Sequence, residues 1–282
     1  MKRIYINEND LSTLDKYEIG FDDSTYGHVI DEEINASDVD VSSFNVQDSL
    51  CPEIWEDDLL KSDVRMKLLN IADDFIDYLS IDWVKPDDII LTGSICNYNW
   101  SEFSDIDLHI LVDFTQVDEN IKLLKDYFNS KKTNWNIDHD TISIYGFPVE
   151  LYVQDVNEEH VSSGVYSLER DEWVVEPDPS AVSTVDVDFK KVKEIVARFV
   201  NTVDELCDML DDNNDEYELS LIHNMSKMIL RAIKDCRKKG FVKNGKEMNE
   251  GNIVFKALRR NETIQRLYDL IHETYDKMNS LS

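Results

Sequence analysis

The chain has 282 residues, enough for one large or two modest domains with a true core. Its 59 acidic residues against 29 basic ones set a formal charge of −30, which excludes a broadly basic nucleic-acid binder and a surface that clings to anionic membrane. Twelve Tyr, eleven Phe and five Trp within a 42% hydrophobic share exclude a disordered acidic chain.

Residues 1–58 mix short apolar pieces with many Asp, Asn and Ser, and an acidic N-terminal arm or wrap is expected there. Within it, MKRIYI reads as a strand. That opening has a basic pair but no apolar h-region, and no later run approaches a membrane span. The cysteines at 51, 96, 207 and 236 form no CxxC pair, so neither a zinc site nor a disulfide framework is indicated. A reducing compartment and a cytoplasmic protein without membrane partners are the expectation. The first 60 residues hold three basic and sixteen acidic side chains, a net of −13.

Val64, Leu68, Ile71, Phe75 and Leu79 recur at helical spacing and predict an amphipathic helix that ends before Pro86. DIILTG is a short apolar strand closed by glycine. SDIDLHILVDF alternates as a second strand, and NIKLLKDYFNSKK is a second helix. TISIYGFPVELYVQD reads as two strands around a Gly-Phe-Pro turn, and EWVVEP is a further strand. After the two prolines of EPDPS the pattern becomes helical. DFKKVKEIVARFVNTVDELCDML is one long helix, and YELSLIHNMSKMILRAIKDCRKKG is another, stopped at Gly240. A last helical pair covers about 249–261 and 262–280. Residues 221–282 hold thirteen basic and seven acidic side chains, a net of +6, so an anionic ligand docks most easily there. The fold class is α+β: an arm over 1–58, a small mixed sheet with flanking helices over 59–180, and a helical domain over 181–282.

The chemistry concentrates between Gly93 and Phe114. In SDIDLHILVDF, Asp105, Asp107 and His109 share one strand face while Ile106, Leu108, Ile110 and Val112 take the other. Two carboxylates aimed the same way a few ångströms apart repel unless a proton or a cation joins them. A hard divalent ion such as Mg²⁺ or Mn²⁺ bridges carboxylates and also binds phosphate oxygens. The plain alternative is an edge strand with two solvated aspartates. Gly93-Ser94, directly after the strand DIILT, favours the ion: glycine admits close backbone approach, and the serine hydroxyl and free N–H groups donate to an anion. Ile95 to Ser104 then gives room for a short helix and a return into the neighbouring strand.

LTGS, that spacer and DIDLHI resemble the signature of the DNA polymerase β-type nucleotidyltransferase superfamily, over about residues 59–155. NYNWSEFSDIDLHILVDF is also similar to predicted nucleotidyltransferases of bacterial viruses, which would place the protein in a host cytoplasm. The resemblance implies an NTP-dependent enzyme that uses two metal ions. It assigns Asp105 and Asp107 to the metals and Gly93 and Ser94 to the terminal phosphates. A third carboxylate on a later strand is expected, with Glu150 in FPVELYVQD as the choice and Asp138, Asp140 and Asp155 competing; the plain alternative for Glu150 is a strand carboxylate that faces solvent or pairs with a lysine. It also implies a lysine from the helical half on the triphosphate. Lys227, Arg231, Lys234 and Lys238 form one stripe at three- and four-residue spacing, and Lys227 and Arg231 are the candidates against the alternative of a solvated basic face. Lys238, Lys239, Arg259 and Arg260 suit contacts to a polyanionic acceptor.

A nucleoside triphosphate is thus the expected substrate. An RNA or tRNA 3′ end, a protein hydroxyl, a second nucleotide and a small molecule all satisfy the chemistry of the acceptor. The rival reading is a catalytically inactive nucleotidyltransferase-like binding or regulatory module, against which the intact acidic pair argues. A third is an interaction protein whose acidic arm mimics nucleic acid. Tyr98 and Trp100 are read either as base-stacking rings or as core beneath the loop. His109 is read as a cleft-floor residue, and Cys96, His223 and His272 receive no catalytic role.

Overall fold

The computed structural model describes residues 34–280, except 82, 84, 140, 159–161, 213–214 and 245–246, and except the side chains of 211, 212, 243 and 244. The expected strand MKRIYI, the first half of the acidic segment and Asp140 lie outside these residues. The described chain forms two compact units: Ser43–Ser183, and residues from Thr184 onward together with 34–42. Among the described residues there are seven α-helices and a central mixed sheet.

In the first unit, Trp55–Glu56 (β1) and Leu59–Leu60 (β2) form a small hairpin ahead of helix α1, Ser62–Leu79. Five strands follow in the order expected, with one addition: Asp88–Thr92 (β3), Ile106–Val112 (β4), Ser143–Ile144 (β5), Phe147–Asp155 (β6), Val165–Ser167 (β7) and Glu172–Val175 (β8), where β7 is the addition. Helices Phe114–Val117 (α2) and Ile121–Asp138 (α3) stand between β4 and β5. The six strands make one sheet in the order β5-β6-β4-β3-β7-β8. β4 and β6 are parallel, and every other neighbour is antiparallel. A parallel neighbour requires a crossover, and α2, α3 and β5 supply it.

The main core lies on one sheet face, and a smaller cluster of Ile90, Leu111 and Val165 is buried apart from it. In the main core, Ile106, Leu108, Ile110 and Val112 of β4 are fully buried against Val64, Leu68, Ala72, Phe75 and Leu79 of α1 and Leu124, Phe128 and Trp135 of α3. Each such side chain contributes about 1.5–3 kcal/mol relative to exposure. Two α3 side chains also finish α1: the Tyr127 hydroxyl donates to the Leu79 carbonyl at 2.5 Å and the Lys131 ammonium to the Tyr78 carbonyl at 3.1 Å. Those are carbonyls that a helix end leaves without a partner.

Two local expectations, at Gly146 and at Gly240, need correction. The β5–β6 turn is Tyr145-Gly146, both at positive φ (50° and 89°), and Phe147 and Pro148 already belong to β6. Positive φ at both central residues matches the twist of a two-residue hairpin, and proline at that point does not need to supply a ladder N–H. The last residues of the acidic segment are core: Leu50, Cys51, Ile54 and Trp55 are buried. Trp55 stacks on Trp173 at 4.6 Å and donates its indole N–H to the Ile95 carbonyl at 2.8 Å. Irregular apolar spacing between acids and a proline hid this from any periodic reading.

The second unit is helical: Phe189–Asp212 (α4), Glu216–Asn244 (α5), Glu250–Arg260 (α6) and Thr263–Asn279 (α7). Residue Ile34 docks on α4 through paired backbone bonds to the Asn201 amide, at 2.9 and 3.1 Å. α5 does not stop at Gly240 but runs on to Asn244. The glycine serves close packing: a Cβ there would stand 1.8 Å from Asn249 Oδ1, which caps α6 by accepting from the Asn252 N–H.

Candidate metal and nucleotide site

The site begins where β3 ends. Thr92 is paired with Asp107 across the antiparallel ladder, and Gly93 follows at φ 79°. A Cβ on Gly93 would lie 2.1 Å from Asp107 Oδ2, so the backbone and that carboxylate are in direct contact and only glycine fits. Ser94–Cys96 then make a single 3₁₀ turn. Asn97, fully buried, ties it down: its side-chain amide donates to the Gly93 carbonyl at 3.0 Å and accepts from the Ser163 hydroxyl at 3.0 Å. The Ser94 hydroxyl lies 2.9 Å from that of Ser104, which in turn accepts the Ser101 N–H at 3.0 Å.

The return segment is pinned from the N-terminal side. Gln47 donates its N–H to the Tyr98 carbonyl at 2.6 Å, and the Trp100 indole donates to the Ser49 carbonyl at 2.8 Å. Tyr98 and Trp100 both pack against the core cluster, which supports the core reading of these rings.

β4 then carries the acids, with Asp105 just before its first residue. The parallel ladder sets Asp107 opposite Glu150, His109 opposite Tyr152 and Leu111 opposite Gln154. Asp105, Asp107 and Glu150 each offer an oxygen within 4.8 Å of the others, all partly buried. Two unit charges about 4 Å apart repel by about 4 kcal/mol at an effective dielectric of about 20. Three partly desolvated carboxylates in this spacing create a strong demand for positive charge. An all-oxygen donor set of this kind fits a hard divalent cation such as Mg²⁺ or Mn²⁺.

Glu150 Oε2 also accepts from the Tyr152 hydroxyl at 2.5 Å and from Lys132 Nζ at 3.4 Å. Lys132 stands over the Tyr152 ring, 3.4 Å from its centroid, and the other face of the ladder row continues with His109 stacked on Tyr152 at 4.7 Å and bonded to Gln154 at 2.8 Å. Burial, the bond to Glu150 and the charges of Asp107 and Asp105 hold the Tyr152 phenol well above its ordinary range, so it stays a proton donor. Burial, with the Asp107 charge adding to it, also raises the Cys96 thiol, which agrees with its having no nucleophilic role.

The other expected residues fall elsewhere. Asp138 closes α3 in an exposed position, and Asp155 is buried at the end of β6, where it accepts from the Asn157 backbone and side chain. Neither joins Asp105 and Asp107. Lys227 and Arg231 lie exposed on α5 in the helical unit, where Arg231 pairs with Asp235 at 3.8 Å. His223 bonds to the Ile271 carbonyl and Thr274 hydroxyl, a packing role. Asn97, Ser104, Lys132 and Tyr152 escaped the sequence reading. Tyr152 carried a usable signal, since it shares a strand face with Glu150 two residues earlier. Lys132 comes from a helix on the crossover and carried none.

No family model matches the chain, and no curated protein matches it. Among solved structures it is similar to a STING-associated CdnE c-di-GMP synthase from Capnocytophaga granulosa, at 10% identity and a TM-score of 0.24, over 77% of this chain and 84% of that one. At that TM-score the likeness carries no argument, and the functional reading rests on the residues themselves. Among the described residues no helix is long and apolar enough to cross a membrane.

Proposed function

We propose that the protein is a metal-dependent nucleotidyltransferase that moves a nucleoside monophosphate from a nucleoside triphosphate to a hydroxyl acceptor and releases pyrophosphate. One observation carries this reading: the parallel β4–β6 register sets Glu150 beside Asp107, so that Asp105, Asp107 and Glu150 meet within 4.8 Å against the Gly93 backbone. Asp105, Asp107 and Glu150 would hold Mg²⁺ or Mn²⁺. Such an ion, when bound, neutralises phosphate charge and makes an acceptor hydroxyl more acidic.

The chain's own groups bind and orient. Gly93 lets a phosphate approach the main chain, and Ser94 donates its hydroxyl to a phosphate oxygen. Ser104 already accepts the Ser101 N–H, so its own proton is available to Ser94 Oγ, which frees the Ser94 proton for the phosphate. Lys227 and Arg231 are proposed as triphosphate contacts on charge and spacing alone. The reaction forms a bond from the acceptor oxygen to the α-phosphorus and breaks the bond to the β-phosphate oxygen. The acceptor proton passes to water. Positioning and charge neutralisation account for most of such catalysis, so few reactive side chains are needed.

The test uses each nucleoside triphosphate labelled at the α-phosphate, with Mg²⁺ or Mn²⁺ and separate RNA, protein and small-molecule fractions. Covalent transfer of label by the wild type, lost in Asp105→Ala/Asp107→Ala and in Glu150→Ala, is expected, and the labelled fraction identifies the acceptor. Nucleotide binding without transfer under every combination would overturn the enzymatic reading in favour of a binding module.

A further inference from the structure

Glu150 Oε2 is gripped by two different donors. The Tyr152 hydroxyl bonds it at 2.5 Å, a short and strong contact to a carboxylate, whereas the Lys132 ammonium stands off at 3.4 Å. Charge-assisted N–H···O bonds normally run about 2.7–2.9 Å, so the lysine is the loosely held partner. It arrives from α3, a separate element, and rests on the Tyr152 ring at 3.4 Å from the centroid, a cation–π seat built into the site wall. The pair is only partly exposed, at 20% for Lys132 and 39% for Glu150. A flexible four-carbon stem lets an ammonium leave such a seat without disturbing the strand.

We propose that Lys132 is a built-in counter-cation of the carboxylate triad: it balances Glu150 when no metal is bound and competes with the metal for that site. Tyr152 has the complementary task of a positioning residue, a hydroxyl that donates to Glu150 Oε2 at 2.5 Å and fixes its orientation. This rests on the reading of Asp105, Asp107 and Glu150 as a metal site. It deepens that reading by making the affinity for divalent ion a balance between a tethered charge and a free one. Lys132 and Tyr152 should therefore act with opposite sign, which a merely structural role for either would not produce.

The test measures Mn²⁺ binding to the full chain by the electron paramagnetic resonance signal of the free ion, and thermal unfolding with and without Mn²⁺. Lys132→Met is expected to bind Mn²⁺ about two- to fivefold tighter, the scale of one partly exposed charge pair. It should also unfold at lower temperature than the wild type without metal, with the gap closing when Mn²⁺ is added. Lys132→Gln, which also removes the charge, should repeat the result, and Lys132→Arg, which keeps it, should restore wild-type affinity. Tyr152→Phe should weaken binding by about tenfold or more, as loss of an outer-shell partner does. Mn²⁺ affinity unchanged or weakened in both Lys132→Met and Lys132→Gln would overturn the counter-cation, and Tyr152→Phe equal to wild type would overturn the positioning role. If Asp105→Ala/Asp107→Ala binds Mn²⁺ like the wild type, the metal-site reading itself falls and takes the proposal with it. If that double substitution abolishes binding while the Lys132 variants do nothing, only the counter-cation is wrong.

Discussion

Strand β4 and helix α5 both carry ionic residues at regular spacing, and they use them in opposite ways. On β4 the period of two sends Ile106, Leu108, Ile110 and Val112 into the core and leaves Asp107 and His109 on the other face. The neighbouring ladder then adds Glu150 from far along the chain, so like charge is concentrated. On α5 the cations sit three and four residues apart and find local or neighbouring partners. Arg231 meets Asp235 one turn on, and Lys234 donates to the Tyr268 hydroxyl of α7 at 2.7 Å. Such exposed pairs on helices are worth little to stability. A strand ladder can hold repelling groups together because its backbone bonds and buried face carry the cost. A solvated helix face has no comparable means.

Glycines give the most severe test of this contrast. Gly93→Ala places a Cβ 2.1 Å from Asp107 Oδ2 at a positive φ, so the carboxylate must move. Label transfer should fall by about a hundredfold or more, the size of a lost preorganised contact, with a stability cost of about 1–3 kcal/mol from the strained backbone. Retained transfer in this variant would separate Gly93 from the chemistry and break the comparison. Gly240→Ala makes an equally close approach, 1.8 Å to Asn249 Oδ1, but in the helical unit. There the expectation is a loss of about 1–3 kcal/mol from overpacking, read as a lower urea midpoint. The smallest effect belongs to Arg231→Ala. Because Arg231 is 84% exposed, stability should stay within about 0.5 kcal/mol of wild type, while the KM for nucleoside triphosphate rises if its proposed phosphate contact is real. An unchanged KM would leave α5 as a solvated face and sharpen the division between the two regions.

Much of this is legible in the amino-acid sequence. α1, β3, β4 and the four long helices follow from periodicity, because a buried face imposes its repeat on the residues that line it. The Asp105/Asp107 pair and the Gly93-Ser94 turn were legible for a second reason, that short motifs join residues near each other in the chain. What escaped was whatever lacked a period or a local partner. β7 is three residues long and is recognised only by its pairing with β3 and β8. Trp55 entered the core out of an acidic, aperiodic stretch. The turn at Tyr145-Gly146 and the passage of α5 through Gly240 depart from the usual habits of proline and glycine, because their neighbours in the fold decide their roles.

By itself, then, the amino-acid sequence determined which strand faces are apolar, where the long helices run, and that two carboxylates point the same way on β4. Those are consequences of alternation and of the 3.6-residue repeat, which depend only on residues close in the chain. The tertiary structure alone decided that β6 lies parallel to β4 with Glu150 level with Asp107, that Gly93 touches the Asp107 carboxylate, and that Lys132 from α3 settles on Tyr152. Strand order and register are set by the packing of the whole core, so residues distant in sequence become neighbours there for reasons that no local pattern records.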